Sequence, residues 1–130
     1  MILVDSSVWI DYFLGNDTPQ VEILDRSLGV RVVGLGDLVL TEVLQGFRSD
    51  KDYRIARSIM DELSLVEMLG KELAIKSAEN FRKLRKMGIT VRKTADVIIA
   101  TYCIERSVPL LFSDKVFTPF VQHLQLIEVR

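Results

Sequence analysis

The chain opens on an apolar run, Ile2, Leu3 and Val4, that stops at a carboxylate, Asp5, followed at once by Ser6 and Ser7. A strand that is apolar at every position, not at every second one, belongs in a sheet covered on both faces. This restricts the chain to a sheet layered with helices. It also makes Asp5 a problem. A buried unpaired charge either costs several kcal/mol or neutralises, so the carboxylate needs a helix terminus, a cation or a metal beside it.

The rest of the chain supplies the helices. Ser6 or Ser7 is expected to cap a helix bearing Val8, Trp9, Tyr12 and Phe13 that stops at Gly15. Pro19 suits the first position of a helix through Leu28, and "VRVVGL" reads as a second strand. After Gly36, Leu38, Val39, Val43, Leu44 and Phe47 recur at helical spacing. "SDKDYRIARSIMDEL" gives another helix and "SLVEML" a third strand. Lys71 to Met87 is a long amphipathic helix stopped by Gly88. Thr94 is expected to cap the helix "ADVIIATYCIER", and Pro109 introduces the strand "LLF", which ends at Ser113 and Asp114. A short helix and a strand "QLIEV" complete the pattern. Strands alternating with helices give an α/β fold, a mainly parallel sheet of four or five strands with helices on both faces.

At 130 residues and 48% hydrophobic, residues 1–130 are expected to form one domain. The single cysteine, Cys103, excludes an internal disulfide and a cysteine-cluster zinc site. It fits a reducing, cytoplasmic home. The apolar start carries Asp5 and Asp11 and no cationic lead, so neither a signal peptide nor a membrane span is expected. A net charge of -1 argues against a generally basic surface. Locally the balance differs: between Glu79 and Asp96 there is no acid, while Arg82, Lys83, Arg85, Lys86, Arg92 and Lys93 all fall there.

Four acids stand out. Asp5 and Asp114 end strands, and in α/β sheets ligands bind beyond the carboxyl ends of the strands. Glu42 and Asp96 interrupt otherwise apolar helices. Each alone has an ordinary explanation: Asp5 and Asp114 as helix caps, Asp96 as a first-turn acid favoured by the helix dipole, Glu42 as an exposed turn. Together they crowd one sheet edge, where carboxylates repel unless a cation neutralises them. Oxygen donors without neighbouring Cys or His favour Mg²⁺ or Mn²⁺ over zinc, and the lone His123 cannot supply a cluster.

The stretches "ILVDSSVWIDYF", "LVLTEVLQGFR", "TADVIIATYCIE" and "LLFSDKVF" resemble, in order and spacing, the successive motifs of PIN-domain ribonucleases, and specifically the VapC toxins of toxin–antitoxin pairs. The resemblance covers nearly the whole chain. It implies a PIN-like three-layer fold, with Asp5, Glu42, Asp96 and Asp114 as the catalytic acids that hold Mg²⁺ (or Mn²⁺) and Ser7 as the hydroxyl residue that orients the first Asp. It further implies endoribonuclease activity on a tRNA or rRNA, inhibition by a cognate VapB-type antitoxin, and a homodimer. Tyr12, Phe13, Phe47 and Tyr53 agree with self-association, being more large side chains than one small domain readily buries. Val116 stands where the family often has a further Asp.

An acidic pocket repels RNA, so cations are expected at its rim: the basic residues from Arg82 to Lys93, with Lys115 beside Asp114. Such a run is also an ordinary solvated helix face. Two other chemistries fit less well. A phosphoacceptor signalling domain wants paired acids after the first strand, where Ser6 follows Asp5, and a haloacid-dehalogenase-type phosphatase wants an acid where Ser7 stands. A PIN-like interaction module without activity, or a housekeeping PIN nuclease outside any toxin pair, keeps the fold and changes the role.

Overall fold

The computed structural model describes residues 1–130. Its elements run β1 (Ile2–Val4), α1 (Ser6–Leu14), α2 (Pro19–Ser27), β2 (Val33–Gly36), α3 (Asp37–Gln45), α4 (Asp50–Met60), β3 (Ser64–Val66), α5 (Lys71–Lys86), α6 (Thr94–Arg106), β4 (Leu110–Leu111), a 3₁₀ turn (Lys115–Phe117) and α7 (Thr118–Leu124). The four strands form one fully parallel sheet in the order β3-β2-β1-β4. Leu3 pairs with Gly34 on one side and with Leu110 on the other, which makes β1 central.

This order has a functional consequence. The chain steps outward from β1 to β2 to β3, then crosses back to place β4 on the other side of β1. With right-handed crossovers, the change of direction puts the later helices on the opposite face of the sheet. The packing agrees: α1 lies against α2 and α3, and α3 against α4, while α5 packs on α6 and α7. A change in strand order leaves a crevice beyond the carboxyl ends of the two strands that flank it, here β1 and β4.

One core of 25 buried residues joins sheet and helices. All three residues of β1 lie in it, as its unbroken apolar sequence requires. Helix α6 is buried from Asp96 to Thr101 and again at Cys103, so it has almost no solvent face. Gly36 ends β2 where nothing larger fits: a Cβ there would run into the Sδ of Met68, and Met68 is itself fully buried.

Three local expectations change. The cap of α1 is Asp5, not a serine: its Oδ2 accepts the Ser7 N–H at 3.2 Å. Thr94 is the first residue of α6 and caps nothing; Lys93 holds the cap position without a side-chain bond. The segment "QLIEV" forms no strand. It contributes a single parallel bridge, Glu128 to Leu110, because Gln125 has a left-handed backbone and only Leu126 of the segment is buried.

Candidate active site

Two acids reach the crevice from its floor. Asp5 follows β1 and is 3% exposed. Its Oδ2 is occupied by Ser7, whose hydroxyl donates at 2.7 Å alongside the backbone bond. Its Oδ1 is buried and has no partner. Capping and a free ligand oxygen are thus compatible in one carboxylate: one oxygen anchors, the other is left over. Asp114 follows β4 and is exposed. Its Oδ1 accepts the Val116 N–H at 3.0 Å and begins the 3₁₀ turn.

The other two arrive from helices on opposite faces of the sheet. Glu42 sits mid-way along α3, half-buried, with Oε1 buried and unpartnered. Asp96 lies in the first turn of α6 and is 8% exposed. The helix dipole favours its charge by about 0.3–1 kcal/mol, yet its pKa is pushed up to about 6, from an ordinary 3.8. Burial is the larger cause, followed by the charges of Asp5 and Glu42, against the relief given by Lys93. Burial also raises Asp5, where Ser7 opposes it and Asp114 adds to it. In Glu42, burial and the charge of Asp5 raise the pKa, opposed by the Ser6 hydroxyl and Lys93.

The four carboxylates therefore act on one another, and three of them are held in the protonated direction. As placed, no three of them converge on a point at ligand distance, so enclosing an ion requires side-chain rotation. Asp114 is the exposed one of the four, and its carboxylate turns only by giving up the bond from the Val116 N–H. The donors nevertheless suit a hard divalent cation. They are all oxygens, two of them buried without a hydrogen bond, in a cluster whose mutual repulsion a cation would cancel.

A cavity of about 290 Å³ opens beside the acids, lined by Thr90, Arg92, Lys93, Asp96, Asp114 and Val116. The basic run is split by the fold. Arg92 and Lys93 face this cavity, whereas Arg82 and Arg85 line a separate groove and Lys83 and Lys86 line neither. Lys115 is exposed beside Asp114 but is not part of the wall. Val116 puts an apolar side chain in the wall.

Two contributors escape a sequence reading. Ser6 looks like a cap, but as a helical residue it points its hydroxyl at Glu42. Asp37 looks like a routine first-turn acid, yet its Oδ1 accepts N–H bonds from Leu38 at 2.9 Å and from Met68 at 3.2 Å. That ties the start of α3, the helix carrying Glu42, to the segment after β3.

The PIN domain family matches residues 2–119. No curated protein sequence matches significantly. Among solved structures, VapBC2 from Rickettsia felis bound to a promoter DNA fragment superposes with a TM-score of 0.79 at 15% identity, covering 99% of this chain and 98% of that one. FitAcB from Neisseria gonorrhoeae gives 0.78 at 17%, covering 100% and 97%. The Mycobacterium tuberculosis toxin VapC20, described as cleaving the sarcin-ricin loop, gives 0.68 at 17%, covering 100% and 99%. At such identities the likeness is one of fold over the full length of both chains. With a family match that spans nine-tenths of the sequence and a parallel sheet whose switch in strand order gathers the acids, this chain belongs to the PIN domain family.

Proposed function

We propose that the chain is a Mg²⁺- or Mn²⁺-dependent endoribonuclease, the cytoplasmic toxin of a VapBC-type pair, which cleaves a tRNA or rRNA and is held in check by a VapB-type antitoxin. The observation that carries this reading is the gathering of Asp5, Glu42, Asp96 and Asp114 at one sheet edge, with buried carboxylate oxygens that no group in the chain satisfies. The descriptions of two structural relatives agree with it: one is a toxin–antitoxin complex from Klebsiella pneumoniae, and another, VapBC-5 from Mycobacterium tuberculosis, is described as a member of the VapBC family of toxin–antitoxin systems.

Asp5 and Asp96 would hold the metal from the buried side, with Glu42 and Asp114 completing the set. A metal bound there supplies an activated water and neutralises phosphoryl oxygens. Ser7 fixes the Asp5 carboxylate through its hydroxyl, so the free oxygen keeps one direction. Arg92 and Lys93, in the cavity wall, draw the phosphate backbone towards the acids. Exposed apolar side chains at Ile10, Leu14, Ile55 and Ile59 on α1 and α4 agree with a covered face in a homodimer or complex. The aromatics Tyr12, Phe13 and Phe47 largely satisfy one another instead, around Trp9.

Incubation of purified protein with total RNA, with Mg²⁺ and with EDTA, tests the reading. Cleavage that requires the metal and disappears in folded Asp5→Asn and Asp96→Asn proteins is expected. Cleavage that survives chelation, or activity in the two folded variants equal to that of the unmodified chain, would contradict it.

A further inference from the structure

Besides Asp96 and Asp114, the acidic cavity is lined by Thr90, Arg92, Lys93 and Val116: a hydroxyl, two cations and an apolar side chain. No fifth acid acts on the four carboxylates. Part of that set is already used. Asp5 keeps Oδ2 on the Ser7 hydroxyl and N–H, and Asp114 keeps Oδ1 on the Val116 N–H. Phosphodiester hydrolysis by two ions about 3.5–4 Å apart requires carboxylates shared between them and further donors on the outer side. Here the remaining wall offers two like charges and a valine instead. The donor set suits one ion, which leaves the second positive charge on the phosphate to come from elsewhere.

Lys93 is placed to supply it. The side chain is exposed, forms no ion pair, and occupies the N-cap position of α6 without a capping bond. Its charge is nevertheless felt by Glu42 on α3 and by Asp96 on α6, helices on opposite faces of the sheet. Arg92 and Lys115 act on neither. The ammonium therefore stands near enough to the acids to act on them and too far to pair with them. A phosphate group between acids and ammonium fits that separation. A compact ammonium on a flexible stem can also follow the phosphate as its charge changes, which a planar guanidinium does less freely.

We propose that the acids hold a single ion and that Lys93 is a catalytic residue, its ammonium contacting the scissile phosphate where a two-ion site would place its second cation. This deepens the nuclease reading above and rests on it. In the step, the oxygen of water forms a bond to phosphorus while the bond from phosphorus to the leaving ribose oxygen breaks, its electron pair staying on that oxygen. The water gives up a proton to solvent and the leaving oxygen takes one back. Lys93 keeps its own proton throughout and offsets the negative charge that builds on the phosphate oxygens. Arg92, in the same wall but without effect on the acids, binds the flanking backbone.

Calorimetric titration with Mn²⁺ and turnover of one RNA test this together. The RNA is the species in total RNA that the unmodified chain cleaves, transcribed in vitro. The proteins are the full chain and its Lys93→Met, Lys93→Arg and Arg92→Met variants, each checked by circular dichroism. One equivalent of Mn²⁺ per chain is expected, with a cleavage rate that rises as the first power of Mn²⁺ below saturation. Lys93→Met should bind Mn²⁺ at least about threefold more tightly, because a neighbouring positive charge is gone. The same variant should lower kcat at saturating Mn²⁺ by at least about a hundredfold, with little change in KM. Lys93→Arg should recover part of that kcat, and Arg92→Met should instead raise KM.

Two equivalents of Mn²⁺, or a second-power dependence, overturns the single-ion site; both are read on the unmodified chain and decide even if Lys93→Met does not fold. Tighter Mn²⁺ binding with kcat intact in Lys93→Met overturns the catalytic role and leaves a lysine that only relieves the empty acids. Weaker Mn²⁺ binding in that variant makes Lys93 a structural support of the ligands and overturns it too. An unmodified chain that cleaves no RNA removes the nuclease reading and Lys93's role with it, whereas cleavage with any of the other contrary results leaves that reading standing.

Discussion

Replacing Asp96 by Asn should stabilise the metal-free protein at neutral pH, the opposite of what removing a structural ion pair does. The sign follows from the direction of its pKa. Asp96 binds its proton up to about pH 6 when folded and up to 3.8 otherwise, so the folded state holds the extra proton between those values. Stability conferred by the protonated form is complete below 3.8 and is lost as pH rises towards about 6. A gap of about 2 pH units corresponds to about 3 kcal/mol. Water at the open side of the cavity screens part of this, which leaves about 1–3 kcal/mol. Asn mimics the neutral acid and relieves Asp5 and Glu42 of a neighbouring charge, so urea unfolding in EDTA at pH 7.5 should show the variant more stable by that amount. The difference should vanish near pH 4. Saturating Mg²⁺ should reverse the ranking, since a ligand at a hundred times its Kd adds about 2.7 kcal/mol to the protein that binds it. An Asp96→Asn protein equally stable or less stable than the parent in EDTA at pH 7.5 would refute the reasoning.

Other perturbations follow from single contacts. Gly36→Ala should destabilise by about 1–3 kcal/mol, because the new Cβ meets the fully buried Met68; thermal unfolding measures it, and an unchanged Tm would show that Met68 moves aside freely. Asp37→Ala strands the Leu38 and Met68 N–H groups and should cost about 1–2 kcal/mol, with loosened amide protection at Met68 in hydrogen exchange and none at Asp5. Cys103 is buried and its thiol is pushed up to about 12, so a maleimide should label it only on global unfolding; rapid labelling of the native chain would contradict its placement. If an antitoxin arginine pairs with the acids and displaces the metal, raising Mg²⁺ at constant ionic strength should partly restore cleavage in the presence of antitoxin, whereas a flat response excludes that mode.

Where one element's own composition decided its conformation, the sequence was enough. The unbroken apolarity of Ile2 to Val4 marked a strand covered on both faces, and Pro19 and Gly88 marked one helix start and one helix stop as observed. All four acids were legible because each breaks an apolar pattern, and the strand-end position of two of them pointed to one edge of the sheet. What failed were questions of side-chain direction. Ser6 and Thr94 carry hydroxyls that satisfy any capping rule; the packed backbone decides for Asp5, a cap the sequence also left open, and puts Lys93 at the other cap position. The basic run from Arg82 to Lys93 is continuous in sequence but divides in space, since a helix turns Arg82 and Arg85 towards the groove and the following loop carries Arg92 and Lys93 to the acids. The strand expected at "QLIEV" depended on a neighbour, and β4 offers only two residues for pairing.

Metal binding by the acids themselves is the claim on which the functional reading depends, and calorimetric titration of the chelator-treated protein with Mn²⁺ addresses it without any substrate. Saturable binding is predicted in the parent, strongly weakened in Asp5→Asn and in Asp96→Asn, and kept in Lys115→Ala, which alters an exposed cation outside the cavity wall. Absence of saturable binding in the parent, or binding in the two Asn variants as tight as in the parent, would contradict the assignment of Asp5 and Asp96 as ligands.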